Sequence, residues 1–327
     1  MTKTLSWYQG NGTNVLKAPP PFEHNENLDA AEHYIASARV RHAVNVAIAL
    51  GVPLLVTGDP GTGKTQLAWS VAHELNAGEP LVFSAKTTST AQDLFYQYDA
   101  LGHFRAARLS NAETSAWPYI NAEAFGIAIL RALPPAEYRD QLLPPALRGA
   151  GPARSVVLID EIDKAPRDLP NDILREIKTM SFVIREVREQ FPAQGKVDKR
   201  FRPIVIITSN SEKNLPDAFL RRCVFVHIAF PGAAQLEEIV KRRFADGWLN
   251  KGRRSEAIAI FERIRALPLK KKPATAEFLA WLHILHENGI EPRAATVKDS
   301  EALAHATAIL AKDKDDVKQV MAALTAS

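Results

Sequence analysis

Residues 56–69 read VTGDPGTGKTQLAW. Gly58, Gly63, Lys64 and Thr65 fit G-x-x-x-x-G-K-[ST], a spacing suited to holding a polyphosphate. Glycines let the backbone approach phosphate oxygens without a Cβ clash. Successive N–H groups and a helix N-terminus then face the anion. Lys64 reaches the terminal phosphates, and the Thr65 hydroxyl is a Mg²⁺ ligand. Pro60, Gly61 and Thr62 complete the loop and Gln66 follows it, so all eight residues form the candidate nucleotide-binding set. Three further segments carry groups that hydrolysis would use. In SVVLIDEIDKA (155–165), Asp160 suits the metal position and Glu161 the group that polarises an attacking water. Alone, an acidic pair is also an ordinary polar strand end. In IVIITSN (204–210), Asn210 could orient that water, although a turn-forming Asn is the simpler reading of the segment alone. In LPDAFLRRCVFV (215–226), Arg221 or Arg222 could stabilise transition-state charge in a neighbouring subunit. The plain alternative is a cationic helix C-terminus favoured by the helix dipole.

These groups need strands that end together. VPLLVTG, EPLVFSA, RSVVLIDE, RPIVIITSN and RCVFVHIAF are short apolar runs expected as buried strands. Helical stretches alternate with them: residues 29–51 end on Gly51, a helix C-cap signal, and 64–76 place Leu67, Val71 and Leu75 at fourfold spacing. The alternation indicates an α/β fold with a parallel sheet. About 70 residues separate the second strand from the third, where a whole strand–helix–strand unit needs about 30. An inserted hairpin or helix is expected at about 90–122, with NAEAFGIAILRAL as the crossover helix and a proline-rich return loop after it. Past Pro231 the strands stop, and amphipathic helices fill the rest. The expected organisation is an irregular, proline-rich arm over 1–28, an α/β nucleotide-binding domain over 29–230 and a small all-helical domain over 231–327.

The chain has 327 residues, 46% apolar and 24% charged, with a net charge of +4. That is ordinary globular composition, mildly basic, without demand for an acidic partner. One cysteine, Cys223, excludes an internal disulfide and fits a reducing compartment. No signal-peptide pattern and no run of 18 apolar residues are visible, so a cytoplasmic protein without membrane insertion is expected. The aromatics Phe95, Tyr96, Tyr98, Phe104, Trp117 and Tyr119 are expected to pack the insert rather than grip a substrate. The basic runs KRRF, KGRR and LKKK read as solvated faces, and the nine histidines show no metal-ligand spacing.

Taken in order, GDPGTGKT, VVLIDEIDKAP, ITSN and LPDAFLRRC resemble the Walker A, Walker B, sensor 1 and arginine-finger segments of AAA+ ATPases of the MoxR group. The resemblance covers about residues 30–310. KTTSTAQDLFYQYDA and KKPATAEFLAWL look most like its CoxD-like branch. It implies a five-stranded sheet ordered 5-1-4-3-2, a helical lid, an insert after the second strand, and Mg²⁺-dependent ATP hydrolysis in a hexameric ring. It also implies a protein client, remodelled or assembled as in metal-cofactor insertion or complex maturation, and a von Willebrand factor A-type partner. Lys64, Thr65, Asp160, Glu161 and Asn210 carry over. Arg222 aligns with the arginine of the group's usual DRF, and Arg221 takes the aspartate's place. Many relatives place a sensor 2 arginine at the start of the third lid helix. Here Lys272 is the candidate replacement, the alternative being that the element is absent; a Lys offers a point charge where Arg offers a planar fork. Two other functions fit the residues less well: a nucleic-acid-linked or defence-system motor, and a scaffold that binds nucleotide with little hydrolysis.

Overall fold

The computed structural model describes residues 30–110, 115–192, 197–210, 215–244, 249–298 and 300–326. The expected N-terminal arm lies outside them. The chain divides into two units: residues 36–59 with 64–228, and residues 229–327 with the segments 1–35 and 60–63.

The first unit is built on five parallel strands, β1 (Leu54–Thr57), β2 (Leu81–Ser84), β5 (Val156–Asp160), β8 (Ile204–Ser209) and β9 (Val224–His227), in the order β2-β5-β8-β1-β9. Counted among themselves, they run 5-1-4-3-2; the labels differ because two hairpins interrupt the numbering. β1 and β8 are buried at every residue, as continuous apolar runs in the middle of a parallel sheet must be. The edge strands alternate instead, with Val82 of β2 and Phe225 of β9 exposed. Helix α1 (Ala38–Leu50) is started by the Ser37 hydroxyl accepting from the Val40 N–H at 3.3 Å, and is stopped by Gly51 in the left-handed region at φ 64°. Helix α2 (Lys64–Glu74) opens at the phosphate loop. Leu67 and Val71 are buried on it, but Leu75 lies past its last residue and is 44% exposed, so the expected stripe stops one turn early.

The long segment after β2 holds both a hairpin and a helix. β3 (Tyr96–Tyr98) and β4 (Ile120–Ala122) pair antiparallel, with α3 (Ala100–Ser110) between them in sequence. Phe95, Tyr96 and Trp117 are buried, and the Phe95 ring lies 5.4 Å from Phe125 and 5.6 Å from Phe182. Phe104 departs from the packing expectation: it is 56% exposed, with the Arg108 guanidinium 4.8 Å from its ring. Crossover helix α4 (Ala124–Arg131) is buried from Ala124 to Leu130. Gly126 is required there by close approach, because a Cβ would stand 1.9 Å from the Phe95 carbonyl oxygen. After β5 come the short helices α5 (Leu169–Asp172) and α6 (Leu174–Thr179) and a hairpin of β6 (Phe182–Ile184) with β7 (Glu189–Phe191). Helix α7 (Asp217–Leu220) leads into β9.

The second unit contains α8 (Ala233–Arg243), α9 (Lys251–Ala266), α10 (Thr275–Glu287), α11 (Glu301–Leu310) and α12 (Lys314–Thr325). Their apolar stripes meet in one core, where the Phe261 and Phe278 rings stack at 4.4 Å and Phe278 lies 6.3 Å from Trp281. Asn250 and Ser300 cap α9 and α11 through their side-chain oxygens. Buried Asp316 is satisfied by the N–H groups of Lys270 and Lys271 at 3.0 and 3.2 Å.

Candidate functional site

The phosphate loop joins β1 to α2, and the last two residues of the motif, Lys64 and Thr65, are the first two of the helix. The first-turn N–H groups of α2 have no partner inside the helix, which makes this end an anion site. Gly61 and Gly63 hold φ of +73° and +86°, a region that side chains rarely adopt. Both are also crowded: a Cβ on Gly63 would lie 3.2 Å from the Tyr34 ring, and one on Gly61 would lie 2.4 Å from the Ala274 Cβ. Lys64 is only 7% exposed, and its ammonium donates to the Gly58 and Asp59 carbonyls at 2.8 and 2.9 Å. Burial pulls its pKa below the ordinary lysine range, opposed by Asp160, Asp163, Asp59 and Glu161. A buried cation resting on two neutral carbonyls suits a polyanion.

β5 ends on Asp160, beside the ends of β2 and β8. Its Oδ1 accepts the Thr65 hydroxyl at 3.1 Å and the Thr208 hydroxyl at 2.5 Å. One hydroxyl and one carboxylate are hard oxygen donors. They fit a Mg²⁺ whose remaining ligands are phosphates and water. Among the described residues, no group of three or more His, Cys, Asp or Glu side chains is placed to hold a metal.

Glu161 is next in sequence and sits in the left-handed region at φ 54°, ψ 48°. For a residue with a Cβ that costs about 1–2 kcal/mol. Its N–H donates to the Thr208 hydroxyl at 2.9 Å, a bond of about 0.5–1.5 kcal/mol that offsets much of the cost. The Glu161 carboxylate accepts from Asn210 Nδ2 at 3.3 Å and from the Lys164 ammonium. That bond raises the Lys164 pKa above the usual lysine range. The Asn210 N–H in turn donates to Asp163 Oδ1 at 3.1 Å. The sequence motifs named Lys64, Thr65, Asp160, Glu161 and Asn210, and the fold brings these together. They did not name Thr208, Asp163 or Lys164. Thr208 reads as an ordinary β-branched strand residue, and the other two read as a polar turn. The pairing of β5 with β8 marks Thr208 and Asp163, and the turn after β5 returns Lys164 to Glu161.

Other expected residues stand apart. Arg221 and Arg222 follow α7 and are exposed; the Arg222 Nη1 donates to the Ala218 carbonyl at 3.1 Å. The start of α10 carries no arginine. Its flank is Ala274, whose N–H donates to Glu277 Oε2 at 3.1 Å, and Lys272 is exposed two residues earlier. Part of the basic runs is engaged within its own unit, while Lys241, Lys251, Lys271 and Lys272 are exposed. Arg253 pairs with Glu291, Arg254 with Glu237 at 4.0 Å, and Lys270 with Asp313 and Asp315; outside the runs, Arg265 lies 3.4 Å from the centre of the Phe230 ring. Burial pushes the Cys223 thiol up to about 12, which leaves it unreactive at neutral pH.

A phosphate loop on the first strand of a parallel 5-1-4-3-2 sheet, with an acidic pair and a polar residue ending the neighbouring strands, defines a P-loop nucleotide-binding protein. The chain belongs more narrowly to the AAA domain family of the dynein-related subfamily, whose model matches residues 53–223. That subfamily includes MoxR-like ATPases, and AAA+ proteins in general hydrolyse ATP with Mg²⁺ and commonly assemble into rings. No curated protein matches the chain. Among solved structures it is similar to a single-site mutant of Thermotoga maritima RuvB, at 16% identity over 90% of this chain and 72% of that one, with a TM-score of 0.44. It is also similar to the Thermotoga maritima RuvB Holliday junction branch migration motor, at 16% identity over 86% and 65%, with a TM-score of 0.40. Among the described residues, no helix is long and apolar enough to cross a membrane.

Proposed function

We propose that this chain is a MoxR-type ATP hydrolase of the CoxD-like branch that works in a ring, hexameric in the group it resembles, and remodels or assembles a client protein. Supporting hydrolysis rather than binding alone is the placement of Glu161 and Asn210 within hydrogen-bonding distance of each other, beside the Thr65–Asp160 pair. In this reading Lys64 and the loop N–H groups hold the β- and γ-phosphates. Thr65 and Asp160 would hold Mg²⁺, which when bound neutralises charge on the phosphate oxygens. The Glu161 carboxylate polarises a water, and Asn210 orients it. Arg222 is the residue offered to a neighbour's nucleotide, with Arg221 as the second choice, and Lys272 is the remaining candidate for a sensor 2 cation. Remodelling, the client and the von Willebrand factor A-type partner rest on the resemblance.

A nucleic-acid track is the second reading: Arg253 and Lys270 of the basic helical unit are held in ion pairs within that unit, and the basic runs match no nucleic-acid motif. The deciding experiment is ATP turnover per chain across protein concentration at saturating Mg²⁺. Specific activity is expected to climb and then plateau as sites form between subunits. Flat turnover at every concentration, or none, contradicts the shared site.

A further inference from the structure

We infer that Thr208 is a positioning residue for hydrolysis, its single hydroxyl setting the directions of both Asp160 and Glu161. The inference rests on the ATPase reading above. The sequence before Thr208 is Ile204, Val205, Ile206 and Ile207, and every residue of β8 is buried. A valine would fill the same volume, so packing alone does not call for a hydroxyl at a position with 0% exposure. A buried hydroxyl needs partners, and this one has two of opposite kind. It donates to Asp160 Oδ1 at 2.5 Å and accepts the Glu161 N–H at 2.9 Å. The parallel register explains the geometry. Ile159 lies opposite Ile207, so the next residues outward, Asp160 and Thr208, meet side by side where the ladder ends.

Two consequences follow for the chemistry. The Thr208 bond fixes the Asp160 carboxylate, which also accepts the Thr65 hydroxyl and is one of the two groups that would hold Mg²⁺. The Glu161 N–H bond holds that residue in a left-handed conformation, which persists only where its surroundings over-determine it. Released from it, the Glu161 backbone relaxes and its carboxylate leaves the Asn210 amide. A second bond, from the Asn210 N–H to Asp163, ties the same two strand ends without touching either carboxylate. The fold at this point therefore does not depend on Thr208 alone.

The test compares wild type, Thr208→Val, Thr208→Ser and Glu161→Gln as full chains. It measures kcat and KM for ATP, the Mg²⁺ concentration for half-maximal rate, and affinity for a fluorescent ATP analogue. Thr208→Val is expected to lose about 10–100-fold in kcat, the usual cost of removing an outer partner of a metal or catalytic ligand. Its half-maximal Mg²⁺ concentration should rise, with analogue affinity held within about 3-fold. Thr208→Ser, which keeps the hydroxyl, should recover most of the rate. The assignment is overturned if Thr208→Val keeps wild-type kcat and Mg²⁺ response, or if the serine variant is as impaired as the valine. Should Thr208→Val fail to fold, Thr208→Ala takes its place: an inactive alanine beside an active serine supports the hydroxyl, and equal rates overturn it. If wild type turns over ATP no faster than Glu161→Gln, the hydrolysis reading fails and Thr208 has no reaction to position. An active wild type matched by Thr208→Val removes only the Thr208 assignment.

Discussion

At the ends of β5 and β8 the candidate groups are bonded to one another. Asp160 accepts two hydroxyls, Glu161 is held through its backbone and its carboxylate, and Asn210 is held through its N–H. At the end of α7 the opposite holds. Arg221 and Arg222 are exposed, and the Arg222 contact to Ala218 lies within its own helical turn. One region is pre-organised inside a single chain, which suits groups that must meet a developing charge without rearranging. The other presents cations outward, which suits groups that act on another chain's ligand. The contrast is what a site shared between subunits requires, and it can be broken or sharpened by substitution.

The largest effect is expected on the outward side. Arg222→Ala should lower kcat by about 10³–10⁵-fold if it is the trans arginine, with nucleotide affinity little changed, while Arg221→Ala should cost little. Steady-state kinetics of the two variants would settle the choice. Equal, small losses would remove the α7 end from the chemistry. On the inward side, Glu161→Gln should lower kcat by about 10²–10⁴-fold and leave binding of a fluorescent ATP analogue intact; turnover at the wild-type rate would show that another group activates the water. A third substitution probes the rigidity beneath the inward side. Gly126→Ala drives a methyl into the Phe95 carbonyl and should destabilise the α/β unit by about 1–3 kcal/mol, measured by denaturant unfolding. An unchanged midpoint would mean that α4 has room to shift.

The smallest effect concerns Cys223, just past the arginine pair. Burial raises its folded-state pKa to about 12, above an unfolded value of about 8.5. The favourable contribution is therefore complete below the unfolded pKa and is lost as pH rises toward the folded one. At pH 8 the folded thiol should react with iodoacetamide far more slowly than the thiol of the denatured chain. Equal rates would place Cys223 in solvent.

Much of this contrast was legible in the sequence, for identifiable reasons. The three inner strands, β1, β5 and β8, are apolar runs because the middle of the parallel sheet is covered, and the phosphate loop keeps fixed spacing because its backbone makes the contacts. Gly51 marked a helix end because only the left-handed conformation stops the helix there. Other features need the third dimension. Leu75 continued the helical period, yet α2 stops at Glu74 and Asn76 takes φ 49°. The β6–β7 hairpin left no sign, since strands of three residues are too short to show an alternation. Phe104 looked like its buried neighbours, but it lies on α3 rather than on the hairpin strands. Thr208 carries the same signal as any β-branched strand residue. Its function emerges from the residue that the register places beside it.

The central claim, a site completed by two chains, is tested most directly by mixing two inactive variants. Arg222→Ala keeps Glu161, and Glu161→Gln keeps Arg222. Each alone should turn over ATP far below wild type. Combined at concentrations where the wild type has reached its plateau, they should recover activity, because some interfaces then pair an intact Glu161 with a neighbour's intact Arg222. A mixture that stays as inactive as its components would contradict the shared site.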